Sequence, residues 1–155
     1  LPVVQVNWQV VTGAPSMHAL FVRNGELYGV TIAPTMITWH RQGSKWISTL
    51  ATPAEAELTW SRDWRDQYAP LLIEVLGSEI QWTWVYVSSD TTFAITRGPL
   101  GDDLRFLPRL FLKWEGWIEV TVPPSDGTAY GFVRIGDQIF ATIDGQLWQA
   151  TTKSP

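Results

Sequence analysis

The sequence predicts an all-β fold, an antiparallel β-sandwich or flattened barrel of about ten to twelve short strands with one amphipathic helix over about 53–67. Three observations carry that reading. Short runs rich in Val, Ile, Thr and aromatic residues alternate with turn residues every 8 to 12 positions or so. Several corners are two-residue Asn-Gly, Gly-Asp or Asp-Gly pairs, which suit hairpins because Asn, Asp and Gly tolerate positive φ. Only one stretch switches to helical periodicity, and it opens with a capping box.

Taken in order, residues 3–12 (VVQVNWQVVT) read as one strand. Residues 19–31 form a hairpin across Asn24-Gly25, with both corner residues expected at positive φ. Residues 36–41 and 45–50 form a second hairpin across Gln42, Gly43 and Ser44. At Thr52-Pro53-Ala54-Glu55 the pattern changes: Thr is the N-cap, Pro the first helical residue, and Glu at N3 returns to the cap. The helix ends before Pro70 and aligns Ala56, Trp60, Trp64 and Tyr68 in one stripe suited to packing on a sheet.

Strands resume at 71–76, 79–87 and 91–97, joined by Gly77-Ser78 and Ser88-Ser89-Asp90. Alternation puts Trp82, Trp84 and Tyr86 on one face of their strand, and Thr83, Val85 and Val87 on the other. Both faces are apolar, so both are expected to be covered. Residues 98–103 (GPLGDD) predict an irregular loop, and Pro108 predicts an edge or break within 104–115. Gly116 turns the chain into 117–122, and a loop at 123–127 leads to a meander over 129–135, 138–143 and 146–152. A hairpin echo links Phe21-Val22-Arg23 and Leu27-Tyr28 with Phe132-Val133-Arg134 and Ile139-Phe140, and more weakly with Tyr86-Val87-Ser88 and Thr92-Phe93-Ala94-Ile95. Its spacing is less regular than in propeller or trefoil repeats. The Gly145-Gln146-Leu147-Trp148 ending is similar to hairpins of propellers and ricin-like trefoils.

Composition narrows the function. The 155 residues suit a single β-rich domain, 1–155, and 45% hydrophobic against 17% charged excludes intrinsic disorder. A formal charge of -4 argues against nucleic acid as a partner, since phosphate neutralisation supplies most of that affinity. The densest basic stretch, Arg97, Arg105, Arg109 and Lys113, is interrupted by Asp102 and Asp103 and reads as a mixed solvated surface. No apolar run approaches the roughly 18 residues of a membrane-spanning helix. Leu1 opens the chain without Met and 1–11 lacks a basic leader segment, which suits a processed chain or a fragment. Extracellular and virion settings are slightly favoured.

Chemistry is scarce. Cys is absent, and His18 and His40 are the only histidines, without His-Glu-x-x-His or His-x-His spacing. No serine elbow, calcium loop or phosphate-cradling loop is present. No cofactor, metal or catalytic residue is therefore expected. Ten tryptophans, by contrast, exceed what one such core needs, and rigid amphipathic rings give contact area at small entropic cost.

The rings beside turns with polar neighbours are the contact candidates: Trp39, His40, Trp46, Trp114, Glu115 and Trp117. The expected function is a non-catalytic recognition or assembly module. It would be a carbohydrate-binding head or a viral or phage structural subunit, working as a homo-oligomer or within a larger particle. Two alternatives remain open. One is a small glycoside hydrolase with paired carboxylates, Glu115 with Glu119 or Glu74 with Glu79. The other is a β-propeller fragment completed by oligomerisation.

Overall fold

The computed structural model describes residues 3–32, 34–58, 82–88, 90–100, 103–127 and 130–152. Among them the fold is all-β, with thirteen strands in three sheets and one short helix. The elements are β1 (Val3–Val4), β2 (Gln9–Val10), β3 (Ala19–Arg23), β4 (Glu26–Thr31), β5 (Ile37–Gln42), β6 (Lys45–Leu50) and α1 (Pro53–Glu57). Then follow β7 (Trp82–Ser88), β8 (Thr91–Leu100), β9 (Asp103–Lys113), β10 (Trp117–Val120), β11 (Tyr130–Ile135), β12 (Gln138–Ile143) and β13 (Gln146–Thr151). The strand expected at 71–76 and residues 59–67 of the expected helix lie outside the described residues. The chain divides into two compact units, Leu1–Val6 with Arg62–Val122 and Ser154–Pro155, and Asn7–Ser61 with Pro123–Lys153.

The first unit holds a sheet in the order β1-β10-β9-β8-β7, antiparallel except where β1 runs parallel to β10. Register places Phe93 beside Leu112 and Ile95 beside Leu110 on one face, with Ala94 beside Phe111 on the other, and all six are buried. A strand buried on both faces reads as a continuous apolar run, as LFL does at 110–112. Val85 is buried as expected of its face, but Val87 is exposed at the strand end; the Trp82 and Trp84 side chains lie outside the description.

Pro108 sits inside β9 opposite Arg97. It is tolerated because pairing with β10 reaches only as far as Leu110↔Val120, so among the described residues β9 is locally an edge there. The loop expected at 98–103 is narrower, since β8 runs to Leu100 through an irregularity between Pro99 and Leu100.

The second unit holds two four-stranded antiparallel sheets, β3-β4-β5-β6 and β11-β12-β13-β2. They share a core of Met17, Leu20, Leu27, Val133, Phe140 and Leu147. Gly131 admits the close approach: a Cβ there would stand 3.5 Å from Ala19 Cα and 2.8 Å from Thr142 Oγ1. Asn24 (φ 53) and Gly25 (φ 73) adopt the positive φ values that their two-residue corner demands, and Asp144 (φ 48) and Gly145 (φ 88) do likewise.

The strand expected over 3–12 is two strands, because the chain leaves one unit after Val6 and enters the other at Asn7. Val6 is held at both backbone atoms by Thr121 Oγ1, whereas Val11 N–H donates to Leu147 O at 2.9 Å. Trp8, between them, is buried.

Candidate functional site

The β3–β6 sheet carries three of the six contact candidates, and its pairing decides which way each points. Phe21 lies opposite Tyr28, Tyr28 opposite His40, and His40 opposite Ile47, so these four share one face. Their rings stack, Phe21 on Tyr28 at 5.0 Å and Tyr28 on His40 at 4.1 Å with planes only 6° apart. Arg23 lies 5.3 Å from both the Phe21 and Tyr28 centroids, where the negative ring faces attract the guanidinium. His40 Nε2 contacts Glu26 Oε2 closely, and Gln42 Nε2 lies 3.4 Å from His40 Nδ1. The stack stands upright on the sheet. Ring faces oppose one another, so the solvent meets edges and the polar groups beside them.

Trp39 and Trp46 lie on the opposite face, partly buried against the shared core. Trp39 Nε1 donates to Thr31 Oγ1 at 2.9 Å, and Arg41 stands 5.9 Å over the Trp46 ring. At the sheet's other end α1 is fastened by its own capping residue. Glu55, buried, accepts from Thr52 N–H at 2.9 Å, Thr38 Oγ1 at 3.1 Å and Arg23 at 3.3 Å. The Thr52 amide holds the Glu55 carboxyl below its ordinary pKa; burial opposes this, and Thr38, the Thr52 hydroxyl and Arg23 reinforce it.

β6 is the outer strand of this sheet among the described residues, and five of its six residues are exposed. Ile47 is 45% and Leu50 76% exposed. The strand carries neither proline nor a bulge, and its only charge is Lys45 at one end. Such an edge offers unpaired backbone donors and acceptors to another strand.

Trp114, Glu115 and Trp117 sit on the β9–β10 hairpin of the other unit. Positive φ falls on Glu115 (φ 67) rather than on Gly116, and Lys113 lies 5.9 Å from the Trp117 ring. Glu119 is buried and accepts twice from Arg109, at 3.1 and 2.7 Å, while Arg109 lies over Phe111 at 5.1 Å. The Glu119 hydrogen bonds raise the Arg109 pKa, with burial opposing and the ionic attraction adding. Thus Glu119 serves an ion pair, and Glu115 stands on an exposed turn. Glu74 and Glu79 lie outside the described residues.

Six of the ten indoles have described side chains: Trp8 and Trp148 are buried, while Trp39, Trp46, Trp114 and Trp117 are partly exposed. Sequence reasoning picked out four of these rings by their polar neighbours but missed Phe21, Arg23, Glu26 and Tyr28. The available signal was hairpin register: counting outward from Asn24-Gly25 sets Phe21 opposite Tyr28. Among the described residues no three His, Asp or Glu side chains gather, and no helix is long and apolar enough to cross a membrane. Comparison with family models, curated proteins and solved structures finds no match to this chain.

Proposed function

We propose that this chain is a non-catalytic recognition and assembly module whose contact surface is the β3–β6 sheet. The observation that carries the reading is β6, among the described residues an outer strand with two large, exposed aliphatic side chains. A second copy of the chain suits it. Antiparallel pairing of β6 with itself about Ser48 sets Trp46 opposite Leu50 and Ile47 opposite Thr49, with no like charges facing. The stacked Phe21, Tyr28 and His40 row would then continue across the joint through Ile47. Sugar stacking on this row is less suited, because it needs a free ring face.

A second form of assembly has its own support. β11–β13 takes its fourth strand from the N-terminal β2, beside a four-stranded meander with which it shares a core. Neighbouring propeller blades are built in this way, and such a fragment would be completed by further copies. Sedimentation velocity separates the forms. Two copies favour pairing at β6, three or more favour a ring, and a persistent monomer rejects both.

A further inference from the structure

Two grooves run along the β2–β13 edge, sharing Val10 and Val11, and neither belongs to the β3–β6 surface. The one beside Gln149 has a volume of about 350 Å³. That falls within the roughly 300–1,000 Å³ of small-ligand sites. Among the described residues its lining holds no charged side chain. What it does hold is amides and a hydroxyl, with aliphatic lining from Val10 and Val11.

Each primary amide offers acceptor and donors side by side, the complement of adjacent hydroxyls that both donate and accept. Gln149 is also oriented in advance. Its Nε2 donates to Gln138 Oε1, which leaves Oε1 and the second N–H for a ligand. Gln9 lies directly opposite Gln149, so two amides stand on the same face of adjoining strands. Among the described residues an anion would find no cation in this lining, and a cation no carboxylate. A ligand carrying hydroxyls over a C–H surface satisfies both halves of the lining.

We propose that this groove, lined by Asn7, Gln9, Val10, Gln149, Ala150 and Thr151, binds a neutral carbohydrate. The inference rests on the recognition reading and gives it a ligand class at a separate site. The test is NMR titration of the chain with neutral oligosaccharides ending in glucose, galactose, mannose or N-acetylglucosamine, with sulfated oligosaccharides alongside. At least one neutral sugar should shift the side-chain amide signals of Gln9 and Gln149. Gln149→Ala should weaken that binding about tenfold, the loss expected of one well-placed hydrogen-bonding group. Gln9→Ala, at an exposed position, gives a second variant should the first disturb β13.

Silence of these signals at millimolar sugar overturns the inference, as does tighter binding of the sulfated series or binding indifferent to both substitutions. Self-association measured on the same samples keeps the two readings apart. A chain that assembles but binds no sugar loses the groove alone, and one that does neither loses both.

Discussion

Replacing Glu55 tests how α1 is held to its sheet. The carboxylate accepts from the Thr52 amide, the Thr38 hydroxyl and Arg23, and only 7% of the residue is exposed. Glu55→Ala removes half of the capping box, worth ~1 kcal/mol. It also leaves the buried Thr38 hydroxyl without its acceptor, at a cost of about 1–3 kcal/mol. The Arg23 contact adds little, since that side chain is 55% exposed. Together these predict a loss of about 2–4 kcal/mol. Glu55→Gln, which keeps an acceptor of the same shape, should cost about half as much.

The pH dependence has a definite sign. A carboxyl with its folded pKa held below the ordinary 4.5 stabilises the fold above 4.5, and that stability is lost as pH falls below it. Urea unfolding at pH 7 and pH 3.5, with hydrogen exchange at Glu55 and Ala56, measures both effects. Wild type should lose stability on acidification, and Glu55→Gln should lose less. Equal stability of wild type and Glu55→Ala at pH 7, or identical acid slopes for wild type and Glu55→Gln, would refute the reasoning.

Three further outcomes follow from the same geometry. Arg109→Met strands the buried Glu119 carboxylate and should destabilise by about 2–3 kcal/mol, the partial exposure of Arg109 moderating the effect; thermal melts of this variant and Glu119→Gln should rank it the worse. Thr142 is fully buried and its hydroxyl has no partner, so Thr142→Val should raise stability by ~1 kcal/mol in urea unfolding. Glu115 adopts φ 67, and Glu115→Gly should relieve left-handed strain by up to ~1 kcal/mol, seen as a higher melting temperature.

Much of the fold was legible because its signals are local. Positive φ at Asn24-Gly25 and Asp144-Gly145, and the capping box at Thr52-Glu55, depend only on residues a few positions apart. The break at Asn7 was not legible, because VVQVNWQVVT keeps strand character throughout and only its partners, Thr121 on one side and Leu147 on the other, divide it. Pro108 pointed to an edge within β9, but the extent of that edge depends on where β10 stops, which Pro108 itself does not encode.

The site was half legible. Trp39, His40 and Trp46 do fall on one sheet, but strand alternation sends His40 to one face and both indoles to the other. The outward row acquires its character from Phe21 and Tyr28 on β3 and β4, which meet His40 only through register. Exposure of β6 is likewise invisible in KWISTL, whose aliphatic residues suit a covered strand as well as an outer one.

Sedimentation velocity of the chain beside Ile47→Lys/Leu50→Lys addresses the proposed self-recognition most directly. Wild type should sediment as an oligomer at high micromolar concentration, and the doubly charged edge should return it to a folded 17.5 kDa species. A wild-type chain that stays at 17.5 kDa throughout, or an oligomer indifferent to both lysines, would contradict assembly through β6.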